Sequence, residues 1–191
     1  FLTEDRRVEG LLMEGAIADN IALPSLPRYA TGFARLVERT RLGDDVEDMG
    51  REVTINARDL VNTLAKNLSG GNQQKVVIGK WLLRGPRLFI LDEPTRGIDV
   101  GAKYEVYKII NRLAESGAAV LMISSEIEEL IGMCDRIVVM SHGEIRGRFD
   151  REAFDREIDG SYARFVRIVA EGRNRTEAEV EPLARGRVYR G

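Results

Sequence analysis

The sequence predicts an α/β fold, on three observations. Two short apolar runs, 88–91 and 119–123, have the look of strands buried on both faces of a parallel sheet. Between them, Val106, Ile109, Ile110 and Leu113 share one stripe at helical spacing. A short helical pattern (Ile127, Leu130, Ile131) then leads into a third apolar run at 137–140, so strands and helices alternate with short links.

Taken in order, residues 1–23 read as a short extended stretch and a charged turn, punctuated afterwards by Pro24 and Pro27. From 30 to 67 the periodicity is helical, with Phe33, Leu36 and Val37 at one spacing and Val46, Met49 and Val53 at another. A further helix opens after residues 68–71 and runs to Arg84, burying Val77, Ile78, Trp81 and Leu82, with Gly79 tolerated inside it. Gly85 and Pro86 stop it. After the third strand, Ser141-His142-Gly143-Glu144 is a turn, and 145–149 alternates apolar residues with Arg as a half-exposed hairpin partner should. Ile158, Tyr162, Phe165, Val166 and Val169 fit a last amphipathic helix. From Glu171 the tail mixes both charges with Gly and Pro and is expected to be disordered.

The bulk properties exclude several classes. A net charge of −2 over 191 residues gives no basic footprint for nucleic acid. The single cysteine, Cys134, excludes an internal disulfide, suits a reducing compartment and, like Trp81, reads as core packing. No run of about 18 apolar residues would span a bilayer, and Glu4, Asp5, Arg6 and Arg7 follow Phe1 where a signal peptide would be apolar. The chain starts without Met inside a dense pattern, so a missing upstream part is expected.

The most informative string is Leu68-Ser69-Gly70-Gly71-Asn72-Gln73-Gln74-Lys75. A Ser-Gly-Gly turn feeding a helix puts a hydroxyl, unobstructed backbone and unpaired amides at a positive helix end, a site for phosphate oxygens. Ser-Gly-Gly alone would be a loop or a plain N-cap. The whole string resembles the signature motif of ABC-transporter ATPases, and Gln73-Gln74-Lys75 resembles the form found in importers of ribose, xylose and galactose.

The resemblance gives the other motifs their meaning. Leu88-Phe89-Ile90-Leu91-Asp92-Glu93-Pro94 puts two carboxylates at the carboxyl end of a strand, where α/β sheets bind ligands. It is similar to the family's Walker B segment. Asp92 is then the Mg²⁺ residue, holding the ion through water, since that cation keeps its waters, and Glu93 orients the attacking water. Thr95-Arg96-Gly97-Ile98-Asp99-Val100-Gly101-Ala102 resembles the D-loop, which crosses a dimer interface toward ATP. Asp99 reads equally as a helix cap. In Ser124-Ser125-Glu126, Ser125 holds the position where most relatives have a His at the γ-phosphate, and Ser-Ser-Glu resembles the second of two fused ATPase halves. His142, the one histidine, is read as an exposed turn residue. Glu4 falls at the family's Q-loop position, as a stand-in for the Mg²⁺-sensing glutamine or as part of a charged surface turn.

The resemblance covers about residues 1–149. It implies a P-loop NTPase (ABC ATPase) core without its N-terminal strands and P-loop, with an inserted helical subdomain. The organisation it implies is 1–23 Q-loop region, 24–72 helical subdomain ending in the signature, 73–150 ATPase core, and 151–191 terminal helix and tail. The implied cofactors are ATP and Mg²⁺, with Ser69, Gly70, Gly71, Gln73 and Asp99 as ATP contacts in trans. The implied partners are a second ATPase half or protomer, transmembrane permease subunits and, indirectly, a periplasmic or extracellular sugar-binding protein. The implied location is the cytoplasmic face of the membrane. The implied activity is ATP hydrolysis coupled to uptake of a monosaccharide such as ribose, xylose or galactose. A non-catalytic half lending its signature to a partner, and a nucleoside importer, remain alternatives. Because no Gly-x-x-x-x-Gly-Lys-Ser/Thr string occurs in these residues, the chain by itself is expected to be inactive.

Overall fold

The computed structural model describes residues 1–31, 36–150, 158–172 and 174–184. The chain divides into two compact units, Phe1–Ile123 and Ser124–Gly191.

In the first unit Asp5 caps a π turn, Arg6–Gly10, by accepting from the Arg7 and Val8 amides at 2.9 and 3.1 Å. Helix α1 (Ile17–Ala22) follows, then a 3₁₀ stretch, Leu23–Arg28, holding both prolines. Strands β1 (Ala30–Thr31) and β2 (Leu36–Val37) form a minimal antiparallel pair. Helix α2 (Arg39–Glu52) and a 3₁₀ turn, Ala65–Asn67, precede α3 (Gly70–Leu82). Strand β3 (Leu88–Asp92), helix α4 (Val100–Glu115) and β4 (Ala119–Ile123) make a β-α-β crossover with β3 and β4 parallel. Leu2 lies parallel to Leu91, donating to the Ile90 carbonyl at 2.8 Å and accepting from the Asp92 amide at 3.0 Å.

Helix α3 is the centre of this unit and packs against α1, α2 and α4. Ile17, Ile21, Val53, Val76, Val77, Ile78 and Val106 are buried there. Its two buried lysines are both satisfied, as buried charge requires. Lys75 donates to the Thr54 carbonyl at 2.9 Å and pairs with Glu105, while Lys80 donates to the Gly10 carbonyl at 2.6 Å. Gly79 is more than tolerated: a Cβ there would lie 3.3 Å from Val53 and 3.4 Å from Met49, so the glycine sets how closely α3 meets α2.

Three expectations for this unit need correction. Leu36 and Val37 belong to β2, not to a helix, and Phe33 lies outside the described residues. Trp81 and Leu82 are half-buried rather than core. Strand β3 buries only Phe89 and Leu91, and β4 alternates half-buried with exposed positions, Leu88, Leu121 and Ile123 being about half exposed. An all-apolar run records that both strand faces suit burial. It does not supply the element that covers the second face.

The second unit contains α5 (Ile127–Met133), β5 (Arg136–Ser141), β6 (Glu144–Asp150), α6 (Ile158–Gly172) and α7 (Glu177–Ala184). Strands β5 and β6 pair antiparallel across the expected turn, where His142 and Gly143 both have positive φ. Ile127, Ile137, Phe149, Phe165, Val166, Val169 and Val180 form its core, with Cys134 half-buried against it. Phe149 and Phe165 meet edge to face, 5.2 Å between centroids. The tail expected to be disordered is folded over Glu177–Ala184, because Val180 completes this core and Thr176 caps the helix through Glu179. Residues 185–191 lie outside the described residues.

Candidate functional site

The start of α3 is built to be open. Ser69 is the extended N-cap, and its Oγ accepts from the Asn72 amide at 3.4 Å and from Asn72 Nδ2 at 3.1 Å. Gly70 and Gly71 follow with their leading amides at the positive end of a 13-residue helix. Gly71 has no room for a side chain in this packing, and Gly70 has little. A Cβ on Gly71 would lie 2.4 Å from the Ala102 Cβ on α4, and one on Gly70 would lie 3.2 Å from the Gly97 carbonyl and 3.0 Å from Arg6 Nη2. Gln73 turns inward instead. It is 2% exposed, its Nε2 donates at 3.2 Å to the Ala65 and Leu68 carbonyls, and its buried Oε1 has no partner among the described residues. In this structure Gln73 braces the turn ahead of α3 rather than facing the open helix end.

The second cluster begins where β3 ends. Asp92 is the half-buried last residue of the strand. Glu93 leaves the strand with φ +47°, a left-handed backbone that costs a non-glycine residue about 1–3 kcal/mol. Its amide donates to the Ile123 carbonyl at 2.9 Å, and its carbonyl accepts from the Arg96 amide at 3.1 Å, closing a turn. Gly97, at φ +67°, bends the loop back toward α4. Asp99 then caps α4, Oδ1 accepting from the Ala102 amide at 3.0 Å, so the capping alternative for this residue is realised. Gly71 against Ala102 brings the two clusters into contact.

The first residues of the chain lock this arrangement. Glu4 forms an ion pair with Arg96. Arg6 donates through Nη1 to the Arg96 carbonyl at 2.7 Å and through Nη2 to the Gly97 carbonyl at 3.1 Å. Partial burial lowers the pKa of the Arg6 guanidinium from its ordinary value, Arg7 lowers it further, and Asp5 opposes both. Sequence reading missed Arg6, since no pattern ties a residue to carbonyls 90 positions away.

In the second unit, Ser124 Oγ donates to Glu129 Oε2 at 2.6 Å and accepts from the Glu126 amide at 3.0 Å. Ser124 therefore anchors the start of α5, and Ser125 beside it is exposed. His142 is exposed in the hairpin turn, with Nδ1 2.9 Å from Ser141 Oγ.

Residues 9–96 match the family model described as ABC transporter. The chain is also 48% identical over 157 residues to "Ribose import ATP-binding protein RbsA 1" of Rubrobacter xylanophilus. It belongs to the ABC transporter family. That alignment covers 82% of this ABC ATPase chain and 31% of the relative. The Bacillus subtilis protein named "Ribose import ATP-binding protein RbsA" is 47% identical, over 83% of this chain and 32% of its own length. The ABC chain thus spans about a third of the curated relatives it matches. Among solved structures, the dimeric post-hydrolysis state of an ATP-binding cassette bound to ADP and Pi superposes with TM-score 0.63 at 22% identity, covering 74% of this chain and 59% of the other. A dimeric bacterial ABC transporter cassette gives the same score and identity over 79% and 62%. Both establish the ABC cassette fold. A second family model, peptidase family S49, matches residues 146–191. That segment contains one serine, Ser161, and neither His nor Lys to activate it.

Proposed function

We propose that this chain supplies part of the ATP-hydrolysing subunit of an ABC importer for a monosaccharide such as ribose, xylose or galactose. The observation that carries the reading is the contact of Gly71 with Ala102. It sets the open Ser69-Gly70-Gly71 helix start against the loop that follows Asp92 and Glu93. In the reading, Ser69, Gly70 and Gly71 bind phosphate oxygens of an ATP held by a second half or protomer, and Asp99 approaches the same interface. Asp92 and Glu93 serve the ATP on this chain's own side. Glu93 accepts a hydrogen bond from the attacking water and orients it. The names of the relatives make ribose the first candidate substrate, tested by uptake of labelled ribose with a nucleoside as competitor.

The residues fit a magnesium ion of the kind that travels with ATP. Among the described residues no group of three or more His, Cys, Asp or Glu could cage a metal. Asp92 and the adjacent Glu93 suit a cation that keeps several waters and takes its remaining ligands from phosphates. When bound, such an ion neutralises charge developing on the phosphates. Glu4 is engaged by Arg96 in this structure.

No helix among the described residues is long and apolar enough to cross a membrane. The proposed location, which follows from the importer reading, is the cytoplasmic face, with attachment through permease subunits that receive sugar from a binding protein. Membrane retention of the complete protein that persists in cells lacking the permease would remove that attachment.

The decisive experiment is Glu93→Gln in the complete protein, read as single-turnover hydrolysis at each nucleotide site. ATP binding should persist while hydrolysis at this half's own site slows by about 10²–10⁴-fold. Equal rates with Gln would take Glu93 out of the mechanism. A second reading, favoured by Ser125 at the histidine position, is that this half's site is non-catalytic and the half contributes through Ser69–Gly71 alone. It predicts a wild-type site that is already silent.

A further inference from the structure

The two functional clusters of the first unit share a mechanical link that the reading above does not use. Resting on that reading, we propose that Arg6 is a positioning residue that holds this chain's two half-sites in fixed register. One guanidinium meets three segments. Its base is fixed by the Asp5-capped π turn, Arg6–Gly10. Its two terminal nitrogens bind the carbonyls of Arg96 and Gly97, at 2.7 and 3.1 Å, in the loop between Glu93 and Asp99. The same Nη2 lies 3.0 Å from where Gly70 would carry a Cβ, and that position is itself 3.2 Å from the Gly97 carbonyl. The opening of α3 therefore rests on the loop and on the arginine together.

The chemistry suits a clamp. Arginine presents several N–H groups in a rigid planar fork, so one side chain can fix two successive carbonyls, whereas lysine offers a single point charge on a flexible stem. The carbonyls of Arg96 and Gly97 converge on that fork because Gly97 has φ +67° and Glu93 has φ +47°. The Glu4–Arg96 ion pair closes the same loop from its outer side. The helix start serves a partner's ATP and Asp92 and Glu93 serve the chain's own. A clamp that joins their supports makes occupancy of one site felt at the other.

The test uses the complete protein with Arg6→Gln, Arg6→Lys and, as a control, Arg7→Gln, whose side chain is exposed. The first readout is amide exchange at Asn72 on α3, and at Arg96 in the loop with Ala102 in the first turn of α4 that the loop feeds. Arg6→Gln should speed exchange in both segments about tenfold or more, since hydrogen bonds to a charged group are being removed. Arg6→Lys should recover only part of the protection, and Arg7→Gln should change none. The second readout is steady-state ATP hydrolysis: Arg6→Gln should lower kcat and the Hill coefficient for ATP, with KM changing less than kcat. Faster exchange confined to the loop, with Asn72 unchanged, overturns the proposal. So does full protection and full cooperativity in Arg6→Lys. A wild-type protein that does not hydrolyse ATP would sink the ATPase reading, while the exchange data would still decide the role of Arg6.

Discussion

Glycines separate the constraints at residue scale. Gly71 and Gly43 are both helical, yet a Cβ on Gly71 would stand 2.4 Å from the Ala102 Cβ, whereas one on Gly43 would meet nothing within 4 Å. Gly71→Ala should therefore destabilise by about 1–3 kcal/mol through overpacking. Gly43→Ala, at an exposed site inside α2, should stabilise by about 0.5–1 kcal/mol. Urea unfolding of the two variants checks both signs, and similar shifts would mean that α3 and α4 are not locked as described. Single residues also mark the limit of sequence reading. Ser69 and Asp99 could be placed because N-caps are local, and both cap as their side-chain types demand. The left-handed backbone of Glu93 and the inward turn of Gln73 could not, because tertiary neighbours impose both.

Among the elements, those with a clear apolar pattern were legible even when short, as β3, β4 and α5 show, and those without one were not. Helices α3 and α4 and the β5–β6 hairpin stand where periodicity and turn residues put them. Helix α1 was missed because six residues hold less than two turns, and only Ile17 and Ile21, buried four apart, betray it. Helix α7 was hidden by its charge, although Thr176-Glu177-Ala178-Glu179 is a capping-box pattern that could have revealed it. Glu179 accepts from the Thr176 amide at 2.9 Å and from its hydroxyl at 3.0 Å, and these bonds lower its carboxyl pKa from the ordinary value. A carboxyl whose folded pKa is depressed adds stability at neutral pH and loses it as pH falls through the glutamate range. The Val180 and Glu181 amides should thus exchange faster on acidification, relative to Val169 in α6. Glu179→Gln should flatten that dependence, and an unchanged profile in the variant would discard the capping account.

For the whole molecule, the parts present decide what this chain can do by itself. Affinity for a triphosphate comes largely from a Gly-rich loop of amides and its lysine, and no such string occurs in the 191 residues. The remaining groups divide between two nucleotides in the proposed assembly, Ser69-Gly70-Gly71 for one ATP and Asp92 with Glu93 for another. One chain cannot close both around a single ligand. Calorimetry with Mg-ATP on the chain alone should therefore give weak heat or none in the micromolar range. Mixing with a partner that carries an intact phosphate loop should give hydrolysis, because the α3 start then completes the partner's site. Ser69→Arg fills the open helix end with a long side chain and should abolish that help. Ser125→Ala should leave it nearly unchanged, since Ser125 is no part of the α3 start. Micromolar Mg-ATP binding by the lone chain, or help that survives Ser69→Arg, would place the nucleotide elsewhere on this protein.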